Sequence, residues 1–249
     1  MRRYSVPDSS GGREVTADHS SGVLNHDFPE CCLVYVKSGG KYGNVPQGSG
    51  VVIGTNRVLT AAHVVFDKKD IAITFNSSRN GKNLIRAEKV WIHKKYISRT
   101  RHYDLAILDF AQSLKKPTIS PGSFTGLSVG SKLTIVGYGD TNPEGYKVGD
   151  YKNYLPNVEL ISNRELHGDT LQNRYGYWSS IEFIIGPRPC EFDSGAPILS
   201  SSGTQRKLLG IMSRKVKSSF YPGTNVPNCL RDTICTRIDN LNINNYVRQ

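Results

Sequence analysis

The sequence has no apolar run that approaches the roughly 18 residues of a membrane-spanning helix, so we expect no membrane span. It also has no C-x-x-C pair, which excludes zinc-ribbon and thioredoxin-like sites. Collagen and heptad periods are missing too. The chain has 249 residues, 37% of them hydrophobic, which is too apolar for a disordered protein. A chain of this length can bury a core without a metal ion or a dense set of disulfides.

The N-terminal region lacks the apolar segment of a signal peptide. Met1–Pro7 carries positive charge, but no apolar stretch follows it, so we do not expect a signal peptide here. Two alternatives stay open: the protein is not exported by this route, or this is a processed form. We expect this chain to be the mature form of a secreted or periplasmic protein. Residues 1–27 are rich in Ser, Gly and charge, which predicts an N-terminal arm.

The cysteines are few and odd in number, so at least one thiol is unpaired or pairs between chains. Their spacing favours an oxidised protein with one or two disulfide bonds over a cytosolic enzyme. The five are Cys31, Cys32, Cys190, Cys229 and Cys235.

From residue 31 onward, short runs of β-branched and aromatic residues alternate with Gly, Pro, Asn and Asp. This texture predicts an all-β protein, a sandwich or a barrel. Gly137–Pro156 is rich in Gly, Tyr, Asp and Lys and predicts a long surface loop. Ile238–Val247 has loose helical spacing without Pro or Gly, and predicts a short C-terminal helix.

Three segments combine residue types that nucleophilic catalysis needs. His63 follows a run of small residues, Asp104 opens an apolar strand, and Ser194 lies in a turn between Asp and Gly. A hydroxyl is a poor nucleophile until a base removes its proton and an acid orients that base. A buried acid also needs a partner. The segments are Gly48–Val65, Tyr103–Leu108 and Cys190–Leu199.

The patterns T-A-A-H, D-L-A-I-L, C-x-x-D-S-G-x-P and G-I-x-S resemble those of the chymotrypsin/trypsin-like serine endopeptidases. The resemblance covers residues 28–249. It implies two six-stranded β-barrels, about 28–118 and 119–249, with the active site between them. It also implies that His63 is the general base, Asp104 orients it and Ser194 is the nucleophile. No cofactor and no metal ion are expected.

The chain departs from the family pattern at several positions. The resemblance implies an oxyanion hole made by the N–H groups of Ser194 and Phe192, where the family normally has Gly at the second position. A side chain there restricts the backbone angles that Gly allows, although we expect Phe192 to adopt the needed conformation. The resemblance also implies a Cys190–Cys229 disulfide, whereas any pairing of Cys235 with Cys31 or Cys32 would require the fold to bring them close. No convincing activation sequence occurs in the N-terminal arm.

Basic residues outnumber acidic ones by 32 to 21, a net charge of +11, which suggests an anionic partner. By the resemblance, the substrate pocket contains Arg188, Ser213, Arg214 and Lys215. Cations there would favour cleavage after Glu or Asp. The alternative is that Arg188 turns into solvent and Lys215 narrows the pocket for small residues. Aromatic interleaving and known modules are missing, so no nucleic-acid partner is expected.

The leading hypothesis is therefore a serine endopeptidase that acts on protein or peptide substrates through an acyl-enzyme. The alternative is a non-catalytic or latent protease homologue that binds a polyanion or a protein partner through its basic surface. The intact His63, Asp104 and Ser194 favour the enzyme, and Phe192 with the missing activation sequence favours the homologue.

Overall fold

The structure is a computed structural model, and nearly every regular element in its described part is a β-strand. It describes residues 3–6, 13–16, 28–38, 41–42, 46–76, 82–139, 152–162, 180–187, 189, 193–202, 205–216, 231–239, 242 and 245–248. An N-terminal hairpin pairs strand β1 (Arg3–Val6) with β2 (Arg13–Thr16). Within the described ranges, no helix is long or apolar enough to cross a membrane.

The N-terminal half and the C-terminal strand β17 together form one antiparallel sheet of nine strands among the described residues, curved into a half-barrel. Its order is β17-β9-β10-β6-β5-β3-β7-β8, and β4 pairs with β3 beside this path. The strands are β3 (Cys31–Ser38), β4 (Lys41–Tyr42), β5 (Gly48–Gly54), β6 (Arg57–Thr60), β7 (Ile71–Thr74), β8 (Ile85–Arg86), β9 (Lys89–His93), β10 (Ala106–Asp109) and β17 (Tyr246–Arg248). One short helix, α1 (Ala62–Val65), follows β6.

The C-terminal half is a closed six-stranded barrel in the order β11-β12-β13-β16-β15-β14. The all-β prediction and one six-stranded barrel are confirmed, whereas the described N-terminal strands form a half-barrel instead of a second closed barrel. The barrel strands are β11 (Lys132–Gly137), β12 (Asn153–Ser162), β13 (Glu182–Ile185), β14 (Pro197–Ser202), β15 (Gln205–Lys215) and β16 (Thr233–Arg237).

The last described residues correct the prediction of a C-terminal helix. Tyr246–Arg248 is a strand whose Tyr246 pairs with His93 of β9, so this part of the chain extends the half-barrel sheet. The rest of the predicted helix falls partly outside the described residues. The predicted surface loop Gly137–Pro156 is also too long, because β12 already begins at Asn153.

In the described ranges, each half has a large apolar core, a small third cluster contains Leu33, Tyr35 and Tyr138, and the half-barrel core extends into the barrel. The half-barrel core includes the barrel residues Val136, Leu199 and Ile211. The barrel core contains Phe124, Phe183, Leu209 and their neighbours. Because these barrel residues belong to the half-barrel core, the two halves pack directly against each other.

Three of the five cysteines are described, and none of these three forms a disulfide. Cys31 and Cys32 are buried in β3, and Cys235 is buried in β16. Burial raises the pKa of all three thiols well above the ordinary value, so they stay uncharged. The fold therefore does not join Cys235 to Cys31 or Cys32. Cys190 and Cys229, the pair that the resemblance implies, lie outside the described residues.

Candidate active site

His63 lies in helix α1, directly after β6. The preceding Ala61 and Ala62 are fully buried and small, so they let the helix approach the segment that precedes β10. The main-chain N–H of His63 donates to Oδ1 of Asp104 at 2.8 Å. The His63 side chain keeps 13% of its surface exposed.

Asp104 is completely buried, and its carboxylate is satisfied by several donors. Oδ2 lies 2.6 Å from Nδ1 of His63 and accepts a hydrogen bond from Oγ of Ser213 at 2.5 Å. An ionised carboxylate only accepts hydrogen bonds, so Nδ1 of His63 carries its proton toward Asp104. This arrangement leaves Nε2 of His63 as an acceptor.

Ser194 lies in the turn before β14, with Oγ 2.8 Å from Nε2 of His63. Two hydrogen bonds fix the turn: Ser49 N–H donates to Ser194 O at 2.7 Å, and Gly195 N–H donates to Met212 O at 2.9 Å. Gly195 has a φ of +83°, in the left-handed region where glycine is favoured. The structure thus brings His63, Asp104 and Ser194 into one hydrogen-bonded line.

Asp193, next to Ser194, is buried against the end of β11. Its Oδ1 accepts the N–H of Gly139 at 2.7 Å. A Cβ on Gly137 would lie 2.9 Å from the carboxylate carbon of Asp193, and a Cβ on Gly139 would collide with the carboxylate too. The two glycines therefore make room for a buried carboxylate beside the nucleophile turn.

The predicted pocket residues of β15 have different surroundings. Ser213 hydrogen-bonds Asp104, as described. Arg214 forms a two-pronged ion pair with buried Glu182, at 2.5 and 3.0 Å, so its charge is already compensated. Nζ of Lys215 donates to Thr233 Oγ1 at 2.8 Å and to Arg231 O at 3.2 Å, and burial lowers the pKa of Lys215 to about 7.

Four residues of the sequence-based site lie outside the described residues. They are Arg188 of the predicted pocket, Phe192 of the predicted oxyanion hole, and the Cys190–Cys229 pair.

Two buried residues near the site were not predicted to matter. Nδ1 of His102 lies 3.2 Å from Oε1 of Glu182, the carboxylate that also holds Arg214. A signal for Glu182 existed, because it is an acid inside the apolar run Ile181–Ile184 and a buried charge needs a partner. The partners themselves are far away in sequence and carry no local signal.

No group of three or more His, Cys, Asp or Glu side chains in the described ranges is placed to hold a metal ion. The line Asp104–His63–Ser194 links an acid, an imidazole and a hydroxyl.

Comparison with known proteins gives a consistent family. A family model described as Trypsin matches residues 25–237. Trypsin iota of Drosophila melanogaster is 26% identical over 192 residues, which cover 70% of this chain and 71% of that protein. Hypodermin-A of Hypoderma lineatum is 24% identical over 201 residues, covering 71% and 72%. Trypsin of Simulium vittatum is 24% identical over 241 residues, covering 88% and 91%.

Among solved structures, the secreted serine protease VesC from Vibrio cholerae has a similar fold, with a TM-score of 0.67 at 19% identity. The alignment covers 89% of this chain but only 46% of VesC, so the chain spans about half of that protein. With the family model matching most of its length, this chain belongs to the trypsin family of serine proteases.

Proposed function

We propose that the protein is a serine endopeptidase that hydrolyses peptide bonds through an acyl-enzyme. The observation that carries this proposal is the unbroken hydrogen-bonded line from Asp104 through His63 to Ser194. Ser194 is the nucleophile, His63 the general base and then acid, and Asp104 the group that orients the imidazole.

In the first step, the Oγ of Ser194 attacks the scissile carbonyl carbon while Nε2 of His63 takes the hydroxyl proton. The carbonyl π electrons move to oxygen, where the N–H groups of Ser194 and Phe192 would stabilise the oxyanion. His63 then gives its proton to the leaving amine as the C–N bond breaks. Water repeats the sequence on the ester and regenerates Ser194.

Active-site labelling with a fluorophosphonate tests the proposal directly. We expect one equivalent of label on Ser194 in the wild-type chain, because His63 makes its hydroxyl nucleophilic. His63→Ala should remove at least about 99% of the labelling rate, since loss of the base costs orders of magnitude. Ser113→Ala serves as the matched serine control, because Ser113 lies on the exposed loop after β10 and should label like the wild type.

The opposite outcome supports the alternative of a non-catalytic or latent homologue. A wild-type chain that stays unlabelled, or a His63→Ala variant that labels at the wild-type rate, would contradict the proposed enzyme. Labelling that appears only after a protein partner is added would identify a latent protease.

We further propose that the enzyme cleaves after Glu or Asp, with Lys215 as the recognising cation. The negative charge of Asp193, which adjoins the nucleophile, raises the pKa of Lys215 and so opposes part of the effect of burial. A carboxylate at this position would pair with the ammonium and offset its loss of hydration. Arg214 is not part of this proposal, because Glu182 already binds it.

The pH dependence of substrate preference tests the role of Lys215. The ratio of kcat/KM for a Glu peptide to that for the matching Gln peptide cancels every pH effect that the two substrates share. Since the pKa of Lys215 is about 7, the ammonium is charged below that pH and loses its proton above it. We expect the ratio to fall as the pH rises through neutrality.

Lys215→Gln provides the matched variant and should lower the ratio to near unity at every pH. Dominant cleavage after Lys or Arg in a peptide library would overturn the acidic preference without affecting the proposed triad.

We also propose that the mature protein is secreted, with a Cys190–Cys229 disulfide. The fold neighbour VesC is itself described as a secreted serine protease. We expect three free thiols, at Cys31, Cys32 and Cys235, and one disulfide. Mass spectrometry of the unreduced, alkylated protein would then find three alkylated cysteines and one linked pair.

A further inference from the structure

The chain just before Asp104 has a strained backbone. Arg101 has a φ of +56° and Tyr103 a φ of +55°, so two residues other than glycine lie in the left-handed region on either side of His102. Conformations of this kind persist only where the surrounding structure holds them, and they cluster at active sites. The position of Asp104 therefore depends on the contacts that hold this segment.

One carboxylate of the barrel holds the segment from two directions. Glu182 in β13 is fully buried. Its Oε1 lies 3.2 Å from Nδ1 of His102, between the two left-handed residues. Nη1 of Arg214 donates to the same Oε1 at 2.5 Å and to the main-chain O of Arg101 at 3.3 Å. Glu182 thus fixes the segment directly through His102 and indirectly through Arg214.

The same carboxylate anchors the strand whose serine binds Asp104. The pairing of β15 with β16 changes register between Met212 and Arg214, so Ser213 lies in an irregularity of the strand. A bulge of this kind re-aims a side chain, and here Ser213 Oγ donates to Asp104 Oδ2 at 2.5 Å. Arg214 follows at once and is fixed to Glu182 through both of its Nη atoms, at 2.5 and 3.0 Å.

We propose that Glu182 is a positioning residue, which acts on the reaction through Asp104. This role rests on the proposed function, because it concerns the groups that aim the Asp104 carboxylate at His63. With Glu182 in place, Oδ2 of Asp104 lies 2.6 Å from Nδ1 of His63, and Nε2 of His63 meets Oγ of Ser194. Without it, the strained segment and the Ser213 bulge relax, and the imidazole loses its orientation.

Glu182→Gln tests this role. A carboxylate has about four acceptor sites on two oxygens, whereas the Gln side chain has one acceptor oxygen and an NH₂ group that would face the donors of Arg214. We expect the limiting rate of fluorophosphonate labelling of Ser194 to fall by about 100-fold, as for a misplacement near 1 Å. The half-saturating reagent concentration should stay at the wild-type value, because Glu182 orients the triad and does not bind the reagent.

A double-mutant cycle with Asp104→Asn separates positioning from a general loss of structure. Residues that act through one group have non-additive effects on rate. Once Asp104→Asn has removed the carboxylate, adding Glu182→Gln should lower the labelling rate by no more than about twofold. A barrel that was merely loosened would lose the same factor in both backgrounds.

Two further variants control for stability and for the kind of substitution. Leu133 is buried in the barrel core on β11, which carries none of the cluster residues, so Leu133→Ala loses packing but should label at the wild-type rate while it is folded. Glu159→Gln makes the same chemical change at an exposed position and should also label like the wild type.

His102→Phe decides the matter if Glu182→Gln does not fold. It keeps a ring and the pair Glu182–Arg214, and it removes the nitrogen that faces Glu182. Loss of a hydrogen bond to a charged group should lower the labelling rate by about tenfold, and Asp104→Asn should abolish this effect as well.

A folded Glu182→Gln chain that labels at the wild-type rate overturns the role of Glu182, as does an equal loss in the Asp104→Asn background. Where Glu182→Gln does not fold, a wild-type rate for His102→Phe has the same meaning. A wild-type chain that stays unlabelled overturns the proposed function itself, so the two failures are distinguishable.

Discussion

At the scale of single residues, Gly195 allows the chain to turn directly after Ser194. Its φ of +83° is one that other residues reach only with strain. Space is short as well, because an added Cβ would lie 2.5 Å from Thr60 Oγ1 and would press on Ser49 O. The backbone of β5 and the end of β6 therefore leave room at this position for glycine alone.

Gly195→Ala should lower the free energy of unfolding by about 3 kcal/mol or more, because strain and a clash with backbone add together. Gly126→Ala is the matched control: its φ is +80°, but nothing lies within 4 Å of an added Cβ. It should cost only the strain, about 1–2 kcal/mol. Urea denaturation of both variants measures the difference. Equal losses would show that the contacts of Gly195 are relaxed in solution.

The residues of the candidate triad could be predicted from sequence because each lies in a distinctive local segment. The partner of Arg214 could not, since Glu182 is 32 residues away and the pair forms only after β13 and β15 enter the same barrel. The expectation that Arg214 faces a substrate pocket rested on position alone, and position does not reveal a buried counter-charge.

At the scale of elements, strand β5 supports the nucleophile turn with its first residues. The N–H of Ser49 donates to Ser194 O, and a Cβ on Gly48 would collide with that same carbonyl oxygen and lie 2.9 Å from Val64 Cγ2. Gly54, at the other end of β5, would place its Cβ 3.4 Å from the nearest side-chain atom, an ordinary contact. The two ends of one strand thus have different tolerance for a methyl group.

Gly48→Ala should displace Ser194 and lower the rate of fluorophosphonate labelling by about 100-fold, the effect expected of a misplacement near 1 Å. Gly54→Ala changes the same strand at its far end and should label at the wild-type rate. A time course of fluorophosphonate labelling measures the rate for both variants. Wild-type labelling of Gly48→Ala would mean that β5 does not hold the nucleophile turn in position.

The errors of element prediction have local physical causes. In β12, Pro156 lacks an N–H and Asn157 has a φ of +60°, and here the register with β11 shifts in a bulge. Pro and a left-handed Asn indicate a loop from sequence, but a bulge accepts both within a strand. The C-terminal Tyr246–Arg248 segment becomes a strand because β9 offers it an edge, which only the folded sheet provides.

At the scale of the whole molecule, a buried polar cluster ties the two halves together behind Asp104. Glu182 of the barrel is fully buried and binds Arg214 of the barrel and His102 of the half-barrel. Arg214 also donates to Arg101 O at 3.3 Å, while Arg101 donates to Ser213 O at 3.5 Å. The segment just before Asp104 therefore contacts the barrel through the His102 side chain and through hydrogen bonds to main-chain carbonyls.

Glu182→Gln should lower the free energy of unfolding by about 3–5 kcal/mol, because it leaves the mostly buried Arg214 guanidinium without a counter-charge. The exposed pair Lys132–Glu159 gives a matched comparison, with 53% and 38% of the side-chain surfaces accessible. Glu159→Gln should cost less than about 1 kcal/mol. Urea denaturation of the two variants measures both free energies of unfolding. If both fall by a similarly small amount, the Glu182 cluster does not stabilise the contact between the halves.

The all-β class could be predicted from short apolar runs divided by turn residues, whereas the two-barrel plan was implied only by the family resemblance. Which sheet closes into a barrel could not be predicted, because closure depends on pairing between strands that are far apart in the chain. Among the described strands, β8 and β17 end the half-barrel sheet without meeting, whereas β11 pairs with both β12 and β14 and closes the barrel.

The buried thiols give the molecule its own reporters of opening. Cys31 and Cys32 lie in the half-barrel and Cys235 in the barrel, so a thiol reagent reaches each only when that half exposes its interior. The rate at which each cysteine becomes alkylated then measures how often its half of the molecule opens. Mass spectrometry of the peptides that contain these cysteines gives this rate without any mutation. Equal rates for the Cys31–Cys32 peptide and the Cys235 peptide would mean that both halves open in one cooperative event. Unequal rates would show which half opens more readily.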